Sequence, residues 1–106
     1  MSNQLPEVIF KVDEYLDYET ENKGYRNDVF VKLPNGDLIE VFFYDPVRLS
    51  QDMSDSIYIT KPGLIVLKLV NKLNIRAAVN DLFKKGFFEY FTPRESPESL
   101  HFGENI

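Results

Sequence analysis

The stretch VFVKLPNGDLIEVFFY (residues 29–44) holds two runs of branched and aromatic residues, separated by Pro34, Asn35 and Gly36. Proline presets the first corner of a turn, and Asn-Gly tolerates the positive φ values of a tight reversal, so the spacing predicts a β-hairpin. Its first strand places Val29, Val31 and Leu33 on one face. Its second places Ile39, Val41 and Phe43 on one face and Leu38, Glu40, Phe42 and Tyr44 on the other. Both faces of that second strand are largely apolar, which puts it in the middle of a sheet.

Upstream, EVIFKVDEYL (residues 7–16) alternates Val8, Phe10 and Val12 with Ile9, Lys11 and Asp13, as a strand with one drier face does. Downstream, Asp45 can cap a helix with Pro46 in its first position, and Val47, Leu49 and Met53 leave it a thin apolar stripe. IYITKPGLIVLKLV (residues 57–70) reads as strand interrupted at Pro62 and Gly63, its run 64–70 apolar enough to be covered on both faces. In NIRAAVNDLFKKG (residues 74–86), Ile75, Ala78, Val79, Leu82 and Phe83 repeat at helical spacing, with Asn74 able to cap and Gly86 to terminate. FFEYF (residues 87–91) reads as a last strand or a buried clamp. The pattern predicts a single α+β domain over residues 1–91: an antiparallel four- to five-stranded sheet with a long helix at about 74–85 and a short one at about 46–53 packed on it. Residues 92–106, rich in Pro, Ser and Glu, are expected to form a flexible C-terminal tail unless Leu100 and Phe102 dock.

Bulk properties exclude several functional classes. A chain of 106 residues with 43% apolar and 27% charged residues suits one soluble globular domain. With no cysteine there is no disulfide framework, thiolate zinc site or thiol nucleophile. The opening MSNQLPEV lacks the basic and apolar regions of an export signal, and no apolar run approaches the roughly 20 residues of a membrane span. A cytoplasmic protein that does not contact membranes is expected. A formal charge of -5 points away from nucleic acid and toward basic partners. The five glycines form neither a phosphate-cradling loop nor a dinucleotide fingerprint. His101, the only histidine, lies in the expected tail without an orienting partner in sequence, so no catalytic residue, cofactor or enzymatic activity is expected.

The segment DEYLDYETENKGYRND (residues 13–28) is the most acidic in the chain. Counted from Asp17, it approaches a calcium loop, with Asp17, Glu19 and Glu21 at positions 1, 3 and 5 and Asp28 at position 12. Its glycine, Gly24, falls two residues after the position that needs it, so no metal is expected. A carboxylate pair for acid–base work needs apolar surroundings that this segment lacks. Protein binding is the better reading. Tyr15, Tyr18 and Tyr25 supply contact area at small entropic cost, and Asp13, Glu14, Asp17, Glu19 and Glu21 would steer a cationic partner. The plainer alternative is a strand end plus a solvated connection, its tyrosines packed on the sheet.

From the hairpin onward, VFVKLPNGDLIEVFFYDPVRLSQDM (residues 29–53) resembles small bacterial immunity proteins, which neutralise the toxic domain of a cognate contact-dependent or other polymorphic toxin. The likeness lies in a meandering sheet, a strand ending near a DPVRL-like turn and a later helix. It implies a non-enzymatic inhibitor that binds and blocks a basic toxin domain, such as a nuclease. The competing expectation is a structural or regulatory subunit that self-associates through a sheet edge or through Phe87, Phe88, Tyr90 and Phe91. The oligomeric expectation is a monomer or weak homodimer.

Overall fold

The computed structural model describes residues 4–12 and 15–91. The architecture is α+β: a four-stranded sheet of β1 (Glu7–Phe10), β2 (Tyr25–Lys32), β3 (Leu38–Tyr44) and β4 (Leu64–Val66), in that spatial order. Three helices accompany it: α1 (Asp17–Lys23), α2 (Pro46–Asp52) and α3 (Lys72–Lys84). A 3₁₀ turn, Phe87–Tyr90, follows α3.

The hairpin forms as its sequence predicts. β2 and β3 pair antiparallel, with Val29 opposite Val41 and Val31 opposite Ile39. Asn35 folds its side chain back to accept from the Asp37 amide at 2.8 Å, which locks the turn. Val29, Val31, Ile39, Val41 and Phe43 form one side of the core. Val70, Ile75 and Val79 form the other, so α3 lies on this face, with Phe88 closing one end. The aromatic run 87–91 is therefore a clamp and not a strand. Phe87, Phe88 and Phe91 pack together with centroids 5.0–6.1 Å apart, while Tyr90 points outward.

The sheet is mixed, contrary to the antiparallel expectation, because β4 runs parallel to β3. The connection 45–63 is long enough for a crossover, and α2 occupies it. The strand expected at 57–60 does not form: Ile57 is 94% exposed and the chain there is irregular. Of the run 64–70 only Leu64–Val66 is strand, at the sheet edge and partly exposed, because β4 has a neighbour on one side only. α3 begins at Lys72 and is capped by Asn71, whose carboxamide oxygen accepts from the Asn74 amide at 2.8 Å. The expected cap, Asn74, is thus the donor. α2 starts where predicted, with the Asp45 carboxylate accepting from the Arg48 amide at 2.8 Å. The tail 92–106, including Leu100, His101 and Phe102, lies outside the described residues.

Entry into β4 depends on Gly63. Its φ is +86°, and a Cβ there would lie 2.6 Å from the Glu40 carbonyl oxygen, so no side chain fits. This close approach lets the Gly63 carbonyl accept from the Phe42 amide at 2.9 Å and sets the parallel register. Gly63→Ala should cost about 3 kcal/mol, from left-handed backbone strain plus displacement of β4. Urea denaturation checks this as a lower midpoint with an unchanged m-value; an unshifted midpoint contradicts the close approach.

Candidate functional site

Within the described part of the acidic segment, residues 17–23 are helical and residues 25–28 open β2. Residues 17–23 form α1, the third helix, which the sequence reading did not anticipate. Glu19, in the third helical position, reaches back to the Leu16 amide at 3.1 Å and makes half of a capping box; Leu16 has no acceptor for the other half. Gly24 ends the helix at φ +80°, its amide donating to the Thr20 carbonyl at 2.9 Å.

α1 is pinned to α3 by its own polar side chains. The Lys72 amide, first of the α3 donors without an intrahelical partner, donates to the Asp17 carboxylate at 2.9 Å. Glu21 accepts at 2.8 Å from the Asn71 carboxamide, the group that caps α3. Two acids therefore meet the positive end of the α3 dipole. Thr20, buried, places its hydroxyl within 2.9 Å of the Val70 carbonyl and 3.0 Å of the Asp17 carbonyl.

Beneath α1 lies a buried ion pair absent from the sequence expectations. Between the pairs Arg26–Phe43 and Val29–Val41 the register shifts, so Asn27 and Asp28 together face Phe42 across a β-bulge. The extra residue reverses the alternation of β2. It turns Arg26 toward the side of the sheet that Phe43 occupies, where it is 2% exposed. Its Nε donates to Asp28 Oδ1 at 2.7 Å and its Nη2 to Asp28 Oδ2 at 3.2 Å. Nη2 also donates to the Val12 carbonyl at 2.7 Å, and the Val12 amide donates to Asp28 Oδ2 at 2.7 Å. The guanidinium lies 4.4 Å from the Phe10 ring centroid and 5.4 Å from that of Tyr15. Its Nη1 has no hydrogen-bond partner among the described residues. Asp28, which the calcium-loop count would make a ligand, is thus committed to Arg26. Among the described residues no group of three or more His, Asp or Glu is placed to hold a metal.

The three tyrosines divide. Tyr25 packs against Tyr44 at 6.2 Å and beneath the Arg48 guanidinium at 4.5 Å, as the plainer reading requires. Tyr15 is 37% exposed, with Lys23 Nζ 5.4 Å from its ring centroid. Tyr18 is 61% exposed and faces out. Tyr15 and Tyr18, with Glu19, Asn22 and Lys23, frame an open groove of about 510 Å³. Asp13 and Glu14 lie outside the described residues. A second open groove of about 600 Å³, lined by Phe42, Lys61, Pro62, Tyr90 and Phe91 among others, carries fewer ionisable groups.

No family model, curated protein or solved structure matches this chain. Among the described residues no helix is long and apolar enough to cross a membrane.

Asp28→Ala should leave the Arg26 guanidinium buried without an anion and free the end of β1, at a cost of about 3–5 kcal/mol. The double variant Arg26→Met/Asp28→Leu should recover most of that loss, because it removes both buried charges together. Equilibrium urea unfolding of the three proteins decides the matter; an Asp28→Ala protein within about 1 kcal/mol of the parent contradicts a buried, dependent cation.

Proposed function

We propose that this chain is a non-enzymatic binding module that docks a basic protein through the outer face of α1, in the role of an immunity protein that blocks a cognate toxin domain. The observation that carries this reading is Tyr18, 61% exposed on an acidic helix and bordering an open groove with Tyr15. A large aromatic held out on a helix already fixed at both ends can be buried by a partner at little ordering cost.

The grouping separates two roles within the acidic segment. Asp17 and Glu21 spend their carboxylates on the start of α3, so their substitution weakens the fold as well as any interface. Tyr18 makes no such bond and is the anchor of the site. Asp13 and Glu14 supply steering charge from the sequence beside it. A nuclease groove, basic because it receives nucleic acid, is a surface of matching sign.

The test needs a candidate toxin domain as the binding partner, to be sought in the reading frames adjacent to the one that encodes this chain. Tyr18→Ala should weaken binding at least tenfold, chiefly through faster dissociation. The double variant Asp13→Lys/Glu14→Lys should slow association at low salt and flatten its salt dependence. Surface plasmon resonance across a salt series reads both effects. Absence of binding, or an affinity indifferent to Tyr18 and to salt, contradicts the proposal.

A further inference from the structure

The outer edge of β1 has a self-complementary pattern of free backbone groups. Within the sheet, the Lys11 amide donates to the Asp28 carbonyl, the Leu33 amide to the Asp37 carbonyl and the Phe42 amide to the Gly63 carbonyl. With the registers of β1–β2 and β2–β3, these bonds fix the direction in which each strand residue presents its backbone. Glu7, Ile9 and Lys11 face β2. Val8 and Phe10 therefore present their amides and carbonyls to the open edge, where neither has a partner among the described residues. The edge is closed at both ends. Pro6 has no amide to give, and Val12 has already committed its amide to Asp28 and its carbonyl to Arg26.

We propose that this edge pairs antiparallel with the same edge of a second copy, about a two-fold axis at Ile9, joining two four-stranded sheets into one of eight strands. Three registers bring outward-facing residues together. Val8 opposite Val8 sets Phe10 against Pro6, which cannot donate, and Phe10 opposite Phe10 sets Val8 against the occupied Val12. Only Val8 opposite Phe10 satisfies all the free groups, with four hydrogen bonds. The same register places Glu7 of each copy opposite Lys11 of the other, on the sheet face away from α3. Both side chains are exposed, and neither makes a salt bridge among the described residues. An edge this short buries less than the roughly 1,200 Å² of a stable interface, so the dimer forms at high protein concentration. The pairing uses β1 and not the face of α1 that carries Tyr18, so it stands independently of the toxin-binding proposal.

Two experiments on the full chain test it. The chain has no cysteine, so Ile9→Cys introduces a single thiol that meets its own copy across the axis as a directly opposed, non-hydrogen-bonded pair. Mild oxidation of concentrated protein should give a disulfide dimer with Ile9→Cys. Glu7→Cys, whose copies lie four residues apart along the paired strands, should stay monomeric. In sedimentation, Glu7→Lys and Lys11→Glu should each raise the dimer dissociation constant by about tenfold. An equimolar mixture of the two should restore the dimer, since lysines then face glutamates. Equal cross-linking of both cysteine variants, cross-linking of neither, or a mixture that sediments like its separate components overturns the proposal.

Discussion

The Arg26–Asp28 pair is the constraint on which the junction of β1, β2 and α1 depends. A guanidinium 2% exposed is stable only if its charge is met, and Asp28 meets it through two bonds. The bulge at Asn27 and Asp28 permits this, because without it Arg26 would fall on the opposite face of β2. The pair then holds the end of β1 through Val12, and the guanidinium lies close to the rings of Phe10 and Tyr15. Tyr15 leads into α1. One buried cation thus links the edge strand, the bulged strand and the acidic helix.

From that link follows the division of labour in the acidic segment. α1 has seven residues, too few to be stable alone in water, so tertiary contacts must hold it. Thr20 bonds Val70, while Asp17 and Glu21 bond the start of α3, and each acid lies where the helix dipole favours it. Charge that reads as a binding surface in sequence is thus partly structural. Tyr18 makes no such bond and stands exposed beside the groove it shares with Tyr15.

The hairpin was legible in the sequence because its determinants are local: Pro34, Asn35 and Gly36 specify the turn, and the alternation on either side fixes which valines enter the core. The start of α2 was legible for the same reason, through Asp45 and Pro46. Determinants that act at a distance were not. The direction of β4 follows from a crossover and from Gly63 lying against Glu40, neither of which leaves a periodic signal. Asn71 caps α3 three residues before Asn74, and both residues fit the local rule. α1 was hidden because DYETENK has no apolar stripe; its hold on the fold is polar and long-range. A trace of the ion pair was present in RNDVFVK, where an arginine and an aspartate two apart open a strongly apolar strand.

The most direct test of this account is the amide hydrogen exchange of Val12, the residue just past β1 whose N–H is donated to the Asp28 carboxylate at 2.7 Å. If the buried pair anchors the junction of β1, β2 and α1, Val12 exchanges only through global unfolding, with the same opening free energy as the Phe30 and Val31 amides of β2. Exchange of Val12 at the rate of an unprotected chain, while β2 stays protected, would contradict it.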